Sequence, residues 1–379
     1  MMVNFDNAAT TFPKPPEVRL AVEKAIVRYG SAGRGSHPIA VRGSELIYSA
    51  REEIGDFFGA EPEKVVFTSN CTHALNIAIQ GIAEKGGHLI ISQLEHNSVL
   101  RPVYALAKKK QISYSIAQVS HDDNETVENF RQLIRHNTKA IICTIVSNVT
   151  GQILPWKEIA KLCQEHDICF IADGAQACGV LEVKLTDGIN ILCTAGHKGL
   201  YGITGTGLLL SDGKYNLPPL MQGGSGSQSN LPEMPPFLPE LLESGTLNVI
   251  GAASLRAGVR FVKKKGVQNI FRHETELCEC LCKRLAKIPS VTIYRNPFAN
   301  YAPVVSFNIE GMPSETVSDL LGKKGFCLRS GLHCAPLAHH LMGTEEGTVR
   351  FAPSVFSRME DVRRLCDCVQ QIADEQRKK

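Results

Sequence analysis

The sequence predicts an α/β protein: a large domain on a mostly parallel sheet, followed by a smaller α+β domain. Three observations predict it. Between Val65 and Asp173, short apolar runs alternate with segments of helical periodicity, which is how βαβ units with strands buried on both faces read. Beyond Thr246 the order changes to a long helical stretch, then short strands with two further helices. Finally, His96, Asn148, Asp173 and Lys198 each follow the apolar run of a predicted strand, the edge where open α/β sheets gather ligands.

The length of 379 residues suits two domains, or one large domain with a satellite. A hydrophobic content of 43% with 21% charged residues excludes a disordered or fibrous chain. The formal charge of +3 implies no nucleic-acid or membrane partner. No apolar run approaches a membrane span, and MMVNFDNAATT lacks the apolar centre of a signal peptide. A cytoplasmic location is the resulting expectation.

Taken in order, the prolines of VNFDNAATTFPKPPEV keep the chain irregular as far as Glu17. A helix is expected over Glu17 to Tyr29, then a glycine-rich loop with Arg34 and His37, then a helix from Gly43 to Phe58. Val65 to Thr68 reads as a strand. SNCTHALNIAIQGI opens a helix with Ser69, Asn70 and Thr72 at its start. Such a start presents free N–H groups and a favourable dipole to a phosphate, or serves as a simple cap. HLIIS, ISYSIAQV, AIICTIVSNVTG and ICFIAD are strands; LEHNSVLRPVYALAKK, the stretch Val127 to Arg135, and WKEIAKLCQEHD carry helices.

The Gly-, Pro- and Ser-rich run from Leu217 to Thr246 reads as a long loop, of the lid or interface-arm kind. One helical pattern then carries through Arg272 towards Ala286. The second domain follows as VTIY, APVVSFNIE, a helix over Ser314 to Lys323, FCLRSG, GTVRFAPS and a last helix from Met359. The expected divisions are an N-terminal segment over 1–13 packing with the small domain, a large domain over 14–262 and a small domain over 263–379.

Thirteen cysteines are scattered through the chain. Cys143, Cys169 and Cys193 sit in apolar runs, where cysteine acts as a small hydrophobe. In a reducing compartment all would stay free thiols. Cys278, Cys280 and Cys282 lie in a helical pattern that puts only Cys278 and Cys282 on one face, with no histidine nearby. No metal site is expected there, nor at Cys366 and Cys368.

The stretch Ile168 to Leu210 carries the strongest chemical signal. One strand ends in Asp173 and the next feeds Gly196-His197-Lys198. A lysine in a glycine-rich turn can form a Schiff base, and a neighbouring strand-end acid can hold a pyridinium nitrogen charged. The turn leaves room for a planar ring, and the combination suits pyridoxal 5'-phosphate (PLP). The plain alternative is a solvent-facing loop lysine. Further on, RSGLHCAP sets Cys334 in a turn after a strand, with Arg329 and His333 close in sequence and Arg350 on the next strand. A thiol near arginine or histidine can act as a nucleophile; alone, the motif also fits an unremarkable loop cysteine.

Together these motifs resemble the class V aminotransferase superfamily and, within it, the second group of cysteine desulfurases. The resemblance runs nearly end to end through DNAATT, EHNS, SNVTG, IADGAQ, GHKGLYGITGTG, ESGT, RSGLHCAP and VRFAPSVF, in the family's order. It implies the PLP-dependent transferase fold type I, with a seven-stranded large-domain sheet, and a homodimer. The activity it implies converts L-cysteine to L-alanine and leaves the sulfur on Cys334 as a persulfide. That sulfur would pass to an acceptor protein for iron–sulfur cluster or other sulfur-cofactor biosynthesis.

Carried over by position, the resemblance implies Lys198 as Schiff-base lysine and proton shuttle, Asp173 as partner of the pyridine nitrogen, and Gln176 on the ring oxygen. His96 would stack on the ring and act in catalysis. Thr72 and His197 would bind the phosphate, along with Thr246 from the partner subunit, and Cys71 and Asn148 would also lie against the cofactor. Arg350, Asn148 and Arg329 would bind the substrate carboxylate, and Cys334 would take the sulfur. Arg34 and His37 would reach toward the partner's site.

The chain departs from the family pattern at Ala195, where relatives carry a hydroxyl residue, in the Gly223 to Asn230 loop, and at Leu332, where a histidine is common. Within the same fold the rivals are a selenocysteine lyase acting on L-selenocysteine, or another C–S lyase. A sulfur-relay or metal scaffold is the rival of another class; it predicts CxxC pairs, which the sequence lacks, and gives Lys198 no role.

Overall fold

The computed structural model describes residues 2–33 and 35–378. In chain order the elements are β1 (Val3–Asn4), α1 (Pro16–Arg28), α2 (Pro38–Phe58), β2 (Val65–Thr68), α3 (Cys71–Ile82), β3 (His88–Ser92), α4 (Asn97–Lys108), β4 (Ser113–Ala117), α5 (Asp123–Gln132), β5 (Thr138–Thr144), α6 (Trp156–Glu165) and β6 (Cys169–Asp173). They continue with β7 (Ile191–Ala195), β8 (Gly207–Ser211), α7 (Val249–Lys265), α8 (Val267–Leu285), β9 (Val291–Ile293), β10 (Val305–Ile309), α9 (Ser314–Lys323), β11 (Phe326–Cys327), α10 (Pro336–Met342), β12 (Val349–Phe351) and α11 (Met359–Arg377).

Seven strands form one sheet in the order β2-β8-β7-β6-β5-β3-β4. All neighbours run parallel except β8, which is antiparallel to both β2 and β7. Both faces are buried. Ile90, Ile141, Phe170 and Leu192 pack on one side, and Leu89, Ile142, Ile171 and Ile191 on the other. This explains why the strands read as unbroken apolar runs rather than alternating ones. The parallel strands β3, β5, β6 and β7 all end at the same edge, which therefore carries His96, Asn148, Asp173 and Lys198 together.

The C-terminal part holds a three-stranded antiparallel sheet, β12-β10-β9, with α8, α9 and α11 packed around it. Phe5, Phe307, Phe326 and Phe351 anchor its core. Phe5 belongs to the N-terminal segment, where β1 pairs in parallel with β11 and Asp6 bridges to Ala352. The same segment then crosses to the large sheet through Thr10, Thr11 and Lys14.

Several boundaries differ from the sequence expectation, each for a local reason. Helix α2 begins at Pro38 rather than Gly43, because proline suits the first helical turn and His37 Nδ1 accepts from the Ala40 N–H at 3.4 Å. His37 thus caps its own helix, and Arg34 lies outside the described residues. Helix α5 starts at Asp123 rather than Val127, since Asp122 accepts from the Asn124 and Glu125 N–H groups at 2.7 and 3.2 Å. The long helical pattern after Thr246 breaks at Gly266, which adopts φ +80 and separates α7 from α8. Helix α10, directly after the RSGLHC motif, had no counterpart in the sequence reading.

The run from Leu217 to Thr246 has no regular secondary structure, but its end is fixed by a buried ion pair. Arg51 on α2 donates to Glu243 Oε1 and Oε2 at 2.9 and 2.6 Å and to the Val65 carbonyl. Glu243 also accepts from the Phe67 N–H at 2.6 Å. Removing one partner of a buried pair strands the other charge, which typically costs ~3–5 kcal/mol. Arg51→Ala should therefore lower unfolding stability by about that amount. A denaturant titration showing a loss below about 1 kcal/mol, the range of an exposed pair, would mean that the pair is idle.

Glu274 on α8 is buried at 4% exposure, and burial lifts its pKa from 4.5 to about 8. The folded state then binds a proton that the unfolded chain releases near pH 4.5. Its contribution is intact below that pH and is lost as pH rises through about 8. Glu274→Gln should raise the melting temperature at pH 8.5 (roughly, above both pKa values) and gain much less at about pH 5. An equal effect at both values would contradict the buried neutral carboxyl. Among the described residues, no helix is long and apolar enough to cross a membrane.

Candidate active site

A cavity of about 210 Å³ lies at the strand-end edge. Lys198, Asp173, Gln176 and His96 line it, as do Cys71, Thr72 and His197. Asn148, Arg350, Arg329 and Cys334 complete the predicted set around the same cavity. Thr246 is the exception: it is exposed and lines a separate cavity with Tyr48, Ser225 and Phe237.

Lys198 follows β7 in a tightly wound turn. Gly202 N–H donates to the Gly196 carbonyl at 2.8 Å, and Tyr201 N–H donates to the Lys198 carbonyl at 2.8 Å. Gly196 is required by crowding, because a Cβ there would meet Thr206 Oγ1 at 2.4 Å. From the far side, Thr10 Oγ1, Thr11 Oγ1 and Lys14 Nζ donate to the His197 carbonyl at 3.2, 3.1 and 2.8 Å. Thr11 Oγ1 is also 3.1 Å from the Lys198 carbonyl. The DNAATT segment thus clamps the backbone that carries the lysine. Burial pushes the Lys198 pKa down, opposed by the charge of Asp173.

Asp173 ends β6 and is buried. Its Oδ1 accepts from the Ala175 N–H at 2.9 Å and faces the Cys71 thiol at 3.5 Å. Burial raises the carboxyl's pKa, while the Ala175 N–H and Lys198 oppose it. Burial and then Asp173 push the Cys71 thiol well up, so Cys71 is a donor here and not a nucleophile.

His96 caps α4, with Nδ1 accepting from the Ser98 N–H at 3.0 Å. In the neutral ring the proton therefore sits on Nε2. Burial, then Lys198, lowers its pKa to about 4, so the ring is neutral at physiological pH. His197 is likewise lowered to about 4 by burial, then by Lys198 and Lys14.

Two expected contacts are used differently. The Gln176 amide donates to the Ala8 carbonyl at 2.9 Å. The Arg350 fork is divided: Nη2 donates to Asp6 Oδ1 at 3.0 Å and Nη1 to the Asn148 carbonyl at 3.0 Å, while Nε is buried without a partner. Asn148 in turn donates to the His333 carbonyl at 2.7 Å. Exposed Arg329 and exposed Cys334 stand at the rim. Sequence reasoning missed Asp6, Thr10, Thr11 and Lys14; the DNAATT motif signalled the first three and not Lys14.

The donor set fits PLP. The phosphate end is matched by the N-terminus of α3, whose cap Asn70 takes the His73 N–H on its side-chain oxygen, leaving earlier backbone donors to an anion. His197 Nδ1 is buried with no partner beside it. Ala195 lines this end without a hydroxyl. Asp173 keeps one oxygen for a ring nitrogen, and Lys198 supplies the amine. Among the described residues, no group of three His, Cys, Asp or Glu could hold a metal ion.

The chain belongs to the aminotransferase class-V family, whose profile matches residues 3–365. It is 30% identical over 380 residues to a probable cysteine desulfurase of Methanothermobacter thermautotrophicus, covering 97% of this chain and 94% of that protein. A cysteine desulfurase of Haloferax volcanii is 28% identical over 97% of this chain and 88% of its own length. The apo structure of a cysteine desulfurase from Thermococcus onnurineus superposes with a TM-score of 0.92 at 27% identity, over 99% of this chain and 95% of that one.

Proposed function

We propose that this protein is a PLP-dependent cysteine desulfurase that converts L-cysteine to L-alanine and leaves the sulfur on Cys334 as a persulfide. The observation that carries the reading is one cavity holding a half-buried lysine, a buried strand-end acid and, at its mouth, an exposed thiol. The family and its cysteine desulfurase relatives support the same activity.

When bound, PLP supplies an electron sink for the carbon skeleton of the substrate. Lys198 would anchor it, Asp173 would keep its ring nitrogen charged, and Thr72, His197 and the start of α3 would hold its phosphate. His96 would cover the ring as a neutral imidazole. Arg329 and Arg350 would hold the substrate carboxylate, Asn148 helping, with Asp6 displaced or shared. The Lys198 amine, its basicity moderated by burial, would take the Cα proton and return it. Cys334 thiolate would attack the substrate sulfur: an S–S bond forms, the Cβ–S bond breaks, its electron pair stays with Cβ, and a proton completes the methyl group of alanine.

The balance is cysteine plus enzyme thiol giving alanine plus enzyme persulfide. The persulfide sulfur is then available to an acceptor protein. Thr246, remote from this chain's own cavity, would serve the neighbouring site in a homodimer. Incubating the PLP-loaded protein with L-cysteine tests the activity. Alanine as the carbon product is the expected outcome; pyruvate with ammonia would identify a C–S lyase of another kind.

A further inference from the structure

The turn presenting the rim thiol is held from behind by a buried histidine. His333 and Cys334 are consecutive non-glycine residues with φ +47 and +58, a left-handed pair that persists only where the surroundings over-determine it. Asn97 N–H donates to the Cys334 carbonyl at 2.7 Å, and Asn148 Nδ2 donates to the His333 carbonyl at 2.7 Å. The His333 ring is 3% exposed, and its Nε2 lies 3.0 Å from the Thr348 carbonyl on the strand-end beside β12. A carbonyl only accepts, so Nε2 carries the proton and Nδ1 a lone pair.

Behind it, His339 on α10 is fixed in the opposite tautomer, with Nδ1 donating to the Thr344 carbonyl at 2.9 Å. The two rings lie 5.7 Å apart at 37°. Among the described residues, His333 Nδ1 and His339 Nε2 are both buried without a partner. A second proton on His333 would place a cation in a buried site near Arg350 and Arg329, and burial already holds its pKa far below the ordinary value. Sequence alone places His333 beside the thiol; in the fold its ring is buried against Thr348.

We propose that His333 is a positioning residue for the sulfur nucleophile: fixed to Thr348, it pins the left-handed His333–Cys334 turn so that Sγ faces the substrate sulfur, and it transfers no proton itself. This rests on Cys334 being the sulfur acceptor. The test uses PLP-loaded enzyme and L-cysteine with H333L, H333Q and C334A. Glutamine restores an N–H near the Nε2 position and has no titrating ring.

H333L should keep the cofactor absorbance and its change on adding L-cysteine, yet form the Cys334 persulfide about 100-fold more slowly, the scale of a misplacement near 1 Å. H333Q should recover most of that loss with the wild-type pH–rate profile. A limb of the profile missing in H333Q would make His333 an acid or base, and wild-type persulfide formation in H333L would show that the turn needs no anchor. If H333L fails to fold, H333Q decides: a rate within about tenfold of wild type and an unchanged profile supports the proposal, and any other result overturns it. Sulfur transfer persisting in C334A would instead sink the underlying reading, whatever the His333 variants do.

Discussion

Lys198→Ala is expected to abolish turnover, with a loss of at least about 10³-fold, the scale of a missing acid–base group. It should also remove the absorbance of lysine-bound cofactor. Among the described residues lining the cavity, Lys198 is the only lysine. Its backbone is clamped on one side by Thr10, Thr11 and Lys14 and wound on the other by the Gly196–Gly202 turn. A flexible side chain nearby could not inherit that placement. Burial lowers the ammonium's pKa while the charge of Asp173 opposes it. Lys198→Arg separates charge from nucleophilicity: it keeps a cation but should show the same loss. Borohydride reduction followed by peptide mass analysis gives the readout. Cofactor found on another lysine in wild-type protein would refute the assignment.

Cys334→Ser should keep bound cofactor and its spectral response to L-cysteine but lose sulfur transfer. A serine hydroxyl cannot supply the soft thiolate that attacks sulfur. Cys71 is the second thiol of the cavity, yet it cannot substitute. It sits on the floor against Asp173, and burial with that carboxylate holds it protonated. Cys71→Ser should therefore retain persulfide formation on Cys334. Desulfuration surviving Cys334→Ser and vanishing in Cys71→Ser would exchange their roles.

Much of this architecture was legible because two physical signals coincided. Buried parallel strands read as apolar runs, and ligand-bearing side chains follow those runs at one sheet edge; hence His96, Asn148, Asp173 and Lys198 surfaced together. Contacts that depend on distant backbone left no such mark. Nothing local to Asp6 announces Arg350 as its partner, 344 residues away. Thr11 meets Lys198 only because β1 has first been drawn onto β11. His333 is next to Cys334 in sequence, but its burial against Thr348, 15 residues on, leaves no local mark. The helices start at Pro38 and Asp123, upstream of the expected Gly43 and Val127, because His37 and Asp122 cap them.

The claim at the centre of this account is that the sulfur leaves L-cysteine onto Cys334. One equivalent of L-cysteine, given to the PLP-loaded protein without any acceptor, tests it by mass analysis of the Cys334 peptide alongside alanine. Transfer to Cys334 leaves one added sulfur atom on that peptide for each alanine formed. Alanine and free sulfide with Cys334 unmodified, or the added sulfur on another cysteine, would contradict it.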